Sequence, residues 1–241
     1  MSASVAASGR SAAHAWRLSH QVPESSHHVV VSTPVAGPEL WRAYLAGAER
    51  VYGSYGVEAA LELDEVVPSL VFVAVTAEGE PVGGMRAHGP YDAADEAQAL
   101  TVWHGDARVR AHIEERLPFG VVESKGLWVA QDVPNRRELV SCFGRAPVHA
   151  ATIRGARYAL GTTAAHTERL WTSTGAVLVG DVPPVNYPDD RYRTHLMFWD
   201  RWAWPASVPE PQRRAIDTET AQLFASVGPS PPVVPAPRVG R

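Results

Sequence analysis

Two apolar runs joined by a short polar connection, LVFVAVTAEGEPVGGMRAH over residues 70–88, constrain the fold more than any other segment. The first run is rich in β-branched residues, the connection contains Gly79, and the second run resumes at Pro81. This pattern is typical of a β-hairpin. The segment therefore predicts two adjacent antiparallel strands.

Strand and helix patterns alternate around this hairpin. HHVVVSTPV predicts a strand, and PELWRAYLAGAERVYGSYG predicts a helix with Pro38 in its first turn. After the hairpin come a polar insertion with one helix near 106–117, a strand over 121–131, a helical region over 135–158, a short strand YALGTTAA, a helix HTERLWTSTG and a closing hairpin that ends in THLMFWD. Because antiparallel hairpins are mixed with strand–helix crossovers, we expect an α/β fold with a mixed sheet in a single domain.

The two ends of the chain have the composition of disordered tails. Residues 1–26 are small and polar without an apolar period, and residues 226–241 are rich in proline. The predicted globular domain therefore spans residues 27–225.

Charge and cysteine usage narrow the function classes. A net charge of -4 argues against a nucleic-acid partner, since such a partner is drawn to a basic surface. The chain has no apolar run long enough to span a membrane and no signal peptide, so we expect a cytoplasmic protein. Cys142 is the only cysteine and lies in an apolar helical pattern, which predicts a buried, unreactive thiol. The histidines lack metal-ligand spacing, so we expect no metal.

Several segments, taken in order, resemble a known family. ELDEVVPSLVFVAVTAEGEPVGGMR, then Gly-Pro, an insertion and VVESKGLWV resemble the acyl-homoserine-lactone synthase and N-acyl amino acid synthase branch of the GNAT acyltransferases. The abundance of arginine, alanine and proline, with Lys125 as the only lysine, separately suggests a GC-rich bacterial genome. LWTSTGAVLV resembles the short helix that precedes the last hairpin of that fold. The resemblance covers about residues 36–200 and implies a GNAT-like fold, a mixed central sheet flanked by helices.

The resemblance also implies a catalytic set. Asp64, Arg86 and Glu123 match an acid before the hairpin, an arginine at its end and a glutamate at the start of the next strand. Glu123 would be the general base, while Arg86 and Asp64 would orient the acceptor or brace the site. The alternative for Glu123 is a solvent-facing residue at a strand entrance. Val67 and Gly126 replace a second acid and an arginine of the branch, so transfer to an amine is expected in place of homoserine-lactone synthesis.

The donor implied by the resemblance is a thioester, either acyl-CoA or acyl-phosphopantetheine on an acyl carrier protein. Its arm would bind at Val129, Gln131, Asn135, Arg136 and Arg137. The usual phosphate-binding glycines are missing, since no glycine lies between Val133 and Val140. A capped helix with a solvated arginine pair is therefore the alternative.

The acceptor would be a small-molecule amine, such as an amino acid derivative, bound near Tyr187, Tyr192 and Trp128.

Trp171 stands where many GNAT enzymes have a tyrosine that protonates the leaving thiolate, and an indole cannot do so. The alternatives to an enzyme are therefore a catalytically inactive ligand-sensing domain and a protein-interaction domain that uses FWDRWAWP.

Overall fold

The computed structural model describes residues 17–22, 25–61 and 67–225, and within them one sheet of nine strands. The strands are β1 (Arg17–Gln21), β2 (His28–Ser32), β3 (Leu70–Val75), β4 (Pro81–His88), β5 (Val121–Val129), β6 (Tyr158–Ala164), β7 (Ala176–Leu178), β8 (Val185–Asn186) and β9 (Arg193–Asp200). Their order is β1-β2-β3-β4-β5-β6-β9-β7, with β8 also paired to β9. β5 and β6 run parallel, whereas the other pairs in the described part of the chain are antiparallel. The predicted hairpin is β3 and β4.

The helices are α1 (Pro38–Tyr55), α2 (Gln98–Val102), α3 (Ala107–Glu114), α4 (Arg136–Ile153), α5 (Glu168–Thr172) and α6 (Glu210–Ala225). The helix α1 begins at a proline, whose fixed φ suits the first turn, and ends at Gly56 in a left-handed conformation with φ 64°. It contacts β3, β4 and β5, and α4 contacts β4, β5 and β6.

The central strands are buried on both faces. Val71 and Val73 of β3 pack with Tyr44 of α1, whereas Phe72 packs with Phe143 of α4. Because side chains alternate along a strand, α1 and α4 cover opposite faces of the sheet.

The insertion between β4 and β5 forms a third apolar cluster against the second half of the sheet. Its α3 residues Val109 and Ile113 are buried with Val121, Leu160 and Phe198. The insertion thus covers the sheet beside the start of β5.

Two elements at the ends of the chain were not predicted. Residues Arg17–Gln21 pair with β2 over their whole length, so the predicted disordered tail of 1–26 is wrong for this segment. The helix α6 packs on β1 and α4. The rest of the predicted tails, residues 1–16 and 226–241, lies outside the described residues.

Candidate functional site

The parallel strands β5 and β6 separate after a short paired stretch. They pair only at Val121–Tyr158, Val122–Ala159 and Glu123–Leu160. Beyond Glu123 the two strands diverge, and the edge of β5 that faces β6 has no strand of the described residues beside it.

A cavity of about 540 Å³ opens at this divergence. Its walls include residues 123–129 of β5 and 162–164 of β6. The helix α4 contributes Arg136, Val140 and Pro147, and α5 contributes Trp171. The lining is mostly apolar, which suits an acyl chain and an uncharged arm better than a polar metabolite.

A β-bulge shapes the wall that β5 forms. The register with β4 passes from Arg86–Lys125 to Gly84–Trp128, so Gly126 and Leu127 stand against one residue of β4. Gly126 has φ 62°, a left-handed conformation that favours glycine.

Two tyrosines of α1 hold this bulge. The Tyr44 hydroxyl donates to the Gly126 carbonyl at 2.9 Å, and the Tyr52 hydroxyl donates to the Leu127 carbonyl at 3.2 Å. A Cβ atom on Gly126 would lie 2.1 Å from the Tyr44 oxygen. The arginine that the related branch has at this position therefore does not fit here.

Glu123 lies at the inner end of the cavity and is only 1% exposed. Its carboxylate accepts hydrogen bonds from the Tyr91 hydroxyl at 2.7 Å, the Gln98 backbone N–H at 2.9 Å and the Ala99 backbone N–H at 2.8 Å. Burial and the neighbouring carboxylate raise the pKa of Tyr91, so its hydroxyl stays protonated and donates. The alternative of a solvent-facing Glu123 is wrong, because the residue is buried and anchors the insertion to the sheet.

Arg86 is 2% exposed and does not line the cavity. Its guanidinium donates to the Leu61 carbonyl and also interacts with the Tyr44 hydroxyl. The structure thus places Arg86 behind the bulge, where it can brace the site but cannot touch a ligand in the cavity. Asp64 lies outside the described residues.

The predicted donor-binding residues fall into two groups. Val129 and Arg136 line the cavity, and the Arg136 Nε atom donates to the Ala130 carbonyl at 3.1 Å. Asn135 precedes α4 with φ 56°, a left-handed conformation, and Arg137 is exposed. The Gln131 amide donates to the Tyr55 hydroxyl at 3.4 Å, and Tyr55 lines the cavity whereas Gln131 does not.

The predicted acceptor-binding aromatics all line the cavity. The Tyr187 hydroxyl donates to the Ala60 carbonyl at 3.4 Å, and the Tyr192 ring is tilted against His166 at 6.0 Å between centroids. Trp128 is buried against Gly47 of α1, where a Cβ atom would lie 2.0 Å from the indole.

Trp171, which replaces the usual tyrosine, packs edge-on against Trp199 at 5.8 Å between ring centroids and also lines the cavity.

Three tyrosines of the site were not predicted from the sequence, namely Tyr44, Tyr52 and Tyr91. The only signal for the first two was their spacing of eight residues on α1, which puts them on one face of the helix.

A second polar cluster lies away from the cavity, between β1, α4 and α6. Arg145 binds Glu219 through two hydrogen bonds of 2.8 and 2.5 Å, and His149 Nε2 lies 2.9 Å from the same carboxylate. His20 completes the cluster, so His20, His149 and Glu219 place possible ligand atoms within 4.8 Å of one another. Because the Arg145 guanidinium occupies both Glu219 oxygens, the cluster has the character of a buried ion-pair network.

Among the helices of the described residues, none has the length and apolar character needed to span a bilayer.

Comparisons with known proteins agree with this geometry. No protein-family model matches the sequence. The uncharacterized protein Rv1356c of Mycobacterium tuberculosis is 39% identical over 217 residues, which are 87% of this chain and 82% of that protein. The uncharacterized protein Mb1391c of Mycobacterium bovis matches to the same extent.

Solved structures share the fold at much lower identity. The acyl-homoserine lactone synthase LasI matches with a TM-score of 0.54 and 10% identity over 84% of this chain and 97% of its own. The CoA-dependent acyl-homoserine lactone synthase BjaI, solved with SAM and isopentyl-CoA, matches with a TM-score of 0.53 and 9% identity over 90% of this chain and 92% of its own. The predicted α/β fold with a GNAT-like mixed sheet is confirmed.

Proposed function

Since the chain belongs to the family of these uncharacterized mycobacterial proteins and has a GNAT-like fold, we propose that it is an N-acyltransferase. The lone pair of a neutral amine attacks the carbonyl carbon of an acyl thioester and forms a C–N bond. The C–S bond then breaks, the sulfur leaves as a thiolate, and the nitrogen loses a proton. The products are an amide and a free thiol.

The divergence of β5 and β6 is the observation that carries the proposal. The exposed edge of β5 offers backbone N–H and C=O groups along one side of the cavity. A pantetheine arm carries two amide groups on an extended chain, so it can pair with this edge as an added strand would. The apolar walls then receive the acyl chain.

The donor is acyl-CoA or acyl-phosphopantetheine on a carrier protein. Arg136 at the start of α4 is the favoured phosphate contact, because it alone of the arginine pair lines the cavity. Val129 would contact the arm, and Asn135, Gln131 and Arg137 would form the outer part of the donor site.

Glu123 is the proposed base for the acceptor amine, directly or through water. It lies at the inner end of the cavity, and one carboxylate oxygen accepts only one hydrogen bond. Tyr187, Tyr192 and Trp128 would contact the amine acceptor from the surrounding wall.

Two observations favour a second candidate, a ligand-sensing domain without turnover. The Glu123 carboxylate is held by three donors, and Trp171 provides no acidic proton for the thiolate. Such a domain would bind acyl thioesters in the same cavity and leave them intact.

Thiol release separates the two candidates. Purified protein is incubated with acyl-CoAs of several lengths, or with acyl carrier protein thioesters, and a pool of amino acids and their derivatives. Free thiol is measured with a colorimetric thiol reagent. Amide products are identified by mass spectrometry. Turnover supports the enzyme, and thioester binding without thiol release supports the sensor.

Glu123→Gln tests the base, with Tyr91→Phe as its control. Both variants lose a hydrogen bond around the same carboxylate position, but only the first loses the basic oxygen. General-base catalysis is worth roughly 10²–10⁴-fold, so Glu123→Gln should lose turnover by about that factor while Tyr91→Phe loses much less. Equal turnover in the two variants would leave Glu123 as an anchor for the insertion. Melting curves check that both variants are folded.

A further inference from the structure

The hydrogen bonds that hold the bulge in β5 have an unusual direction. Tyr44 and Tyr52 donate to two successive carbonyls, those of Gly126 and Leu127. In a regular strand, successive carbonyls point to opposite sides. Here both are bonded to one helix, which the left-handed Gly126 permits.

Because a peptide unit is planar, the direction of its carbonyl determines the direction in which its N–H points. In a trans peptide the N–H points opposite to the carbonyl of the same unit. The N–H of Leu127 shares its unit with the Gly126 carbonyl, so it points away from α1. The helix α4 covers that face of the sheet, and its residues Val140 and Pro147 line the cavity.

A buried cation, the guanidinium of Arg86, lies near the tyrosines that bond to this part of β5. The charge of the Arg86 guanidinium acts on the hydroxyls of Tyr44 and Tyr52. Tyr44 is fully buried, and burial raises its pKa, so it stays protonated and can donate. Burial raises the pKa of Tyr52 to about 12, with the same result.

We propose that Tyr44 and Arg86 are positioning residues that aim and polarise the Leu127 N–H as the donor to the thioester oxygen. The inference rests on the proposed acyl transfer. As the amine attacks, the carbonyl π electrons move onto this oxygen, and a donor fixed in advance stabilises the charge without reorganisation. Hydrogen bonding to the carbonyl of a peptide unit strengthens its N–H as a donor, because linked hydrogen bonds polarise one another.

This assignment explains two features of the site together. It gives the buried Arg86 a role that does not require contact with the substrate. It also explains why Gly126 stands where an arginine would block the Tyr44 hydroxyl.

The test compares Tyr44→Phe with Ser54→Ala. Each substitution removes one hydroxyl from α1, but the Ser54 hydroxyl bonds to the Val51 carbonyl of the same helix, and Ser54 contacts neither the bulge nor the cavity. The first readout is kcat and KM for thiol release from acyl-CoA. The second is the amide resonance of Leu127 in protein labelled with ¹⁵N-leucine, assigned by its loss in Leu127→Met, with and without a thioether analogue of acyl-CoA.

Tyr44→Phe should lower kcat by about 5- to 10-fold with little change in KM, since the donor is weakened and not removed. The Leu127 amide proton should move upfield in this variant, and the analogue should shift it less than in the wild type. Ser54→Ala should change neither readout.

The failure of this inference differs from the failure of the proposed function. If the wild type releases thiol and Tyr44→Phe matches Ser54→Ala in kcat and in the Leu127 resonance, the inference is overturned and the acyltransferase stands. If the wild type releases no thiol from any donor, the proposed function fails and the oxyanion role fails with it.

Discussion

His20 should make the folded protein sensitive to mild acid. It lies on the edge strand β1 and is 3% exposed. Its ring faces His149 at 5.7 Å between centroids, the Cys142 sulfur lies 4.0 Å from its Nε2 atom, and the Arg145–Glu219 pair lies beside it. Burial lowers its pKa from 6.5 to about 4, against the opposing charge of Glu219. His20 is therefore neutral in the folded protein at pH 7.

The direction in which stability changes with pH follows from which state of the protein binds the proton. Between pH 6.5 and about 4, His20 binds a proton in the unfolded chain but not in the folded one. Stability is thus greatest above pH 6.5 and falls as the pH approaches 4. One pKa unit corresponds to about 1.4 kcal/mol, so the fall from 6.5 to about 4 amounts to roughly 3 kcal/mol.

Glu219 and His88 also make the stability depend on pH, over pH ranges that differ in part from that of His20. The hydrogen bonds from His149 and Arg145 hold the pKa of Glu219 at about 2 although burial opposes this, so its contribution is present above pH 4.5 and is lost as the pH falls through 2. His88 is a second buried histidine, whose pKa burial lowers to about 3, and it adds its own loss below pH 6.5.

Urea unfolding of the wild type and of His20→Asn at pH 7.5, 6.5, 5.5 and 4.5 isolates the contribution of His20. The asparagine amide can replace the ring nitrogen that lies 3.3 Å from the Gln21 carbonyl, and it does not titrate. The variant starts less stable, but its free energy of unfolding should fall by roughly 2 kcal/mol less than that of the wild type between pH 6.5 and 4.5, since part of the His20 contribution is lost only below pH 4.5. Parallel curves for the two proteins would refute the reasoning.

Two further predictions concern the candidate site. Gly126→Ala should destabilise the protein by roughly 2 kcal/mol more than Gly155→Ala, because both glycines have positive φ but only a Cβ atom at position 126 would meet the Tyr44 hydroxyl. Equal losses in the free energy of unfolding, measured in urea, would contradict this contact. Arg136→Ala should weaken coenzyme A binding about tenfold and reduce its salt dependence, whereas Arg137→Ala should do neither. Calorimetry at two salt concentrations measures both effects, and equal affinities of the two variants would remove Arg136 from the donor site.

Much of the central fold could be predicted, because its strands and helices carry strong local patterns. The hairpin β3–β4 has a β-branched run and a glycine turn, and α4 has an apolar face. The strand β1 has no such pattern, since its sequence RLSHQ is polar and it is held by pairing with β2. The helix α6 was missed for a related reason: one of its buried positions is Glu219, a charged residue whose partner Arg145 is distant in sequence.

The site could be predicted only in part. Glu123 was identified through the resemblance, as a glutamate at the start of an apolar strand, but its three donors come from an insertion without a distinctive pattern. Tyr44 lies within the predicted helix PELWRAYLAGAERVYGSYG, whose sequence does not mark it as a site residue. Its link to the bulge depends on the φ of Gly126 and on the register with β4, and neither is encoded by local periodicity.

The buried pair of Arg145 and Glu219 also bears on how the chain is made. The carboxylate is synthesised 74 residues after the arginine, near the end of the described domain. A chain that stops before α6 therefore leaves the guanidinium without its carboxylate and uncovers the surface of α4 and β1 on which the buried Ile216 and Leu223 of α6 lie. Truncated products of translation should then be opened and degraded by cellular proteases, so that only chains carrying the last helix accumulate.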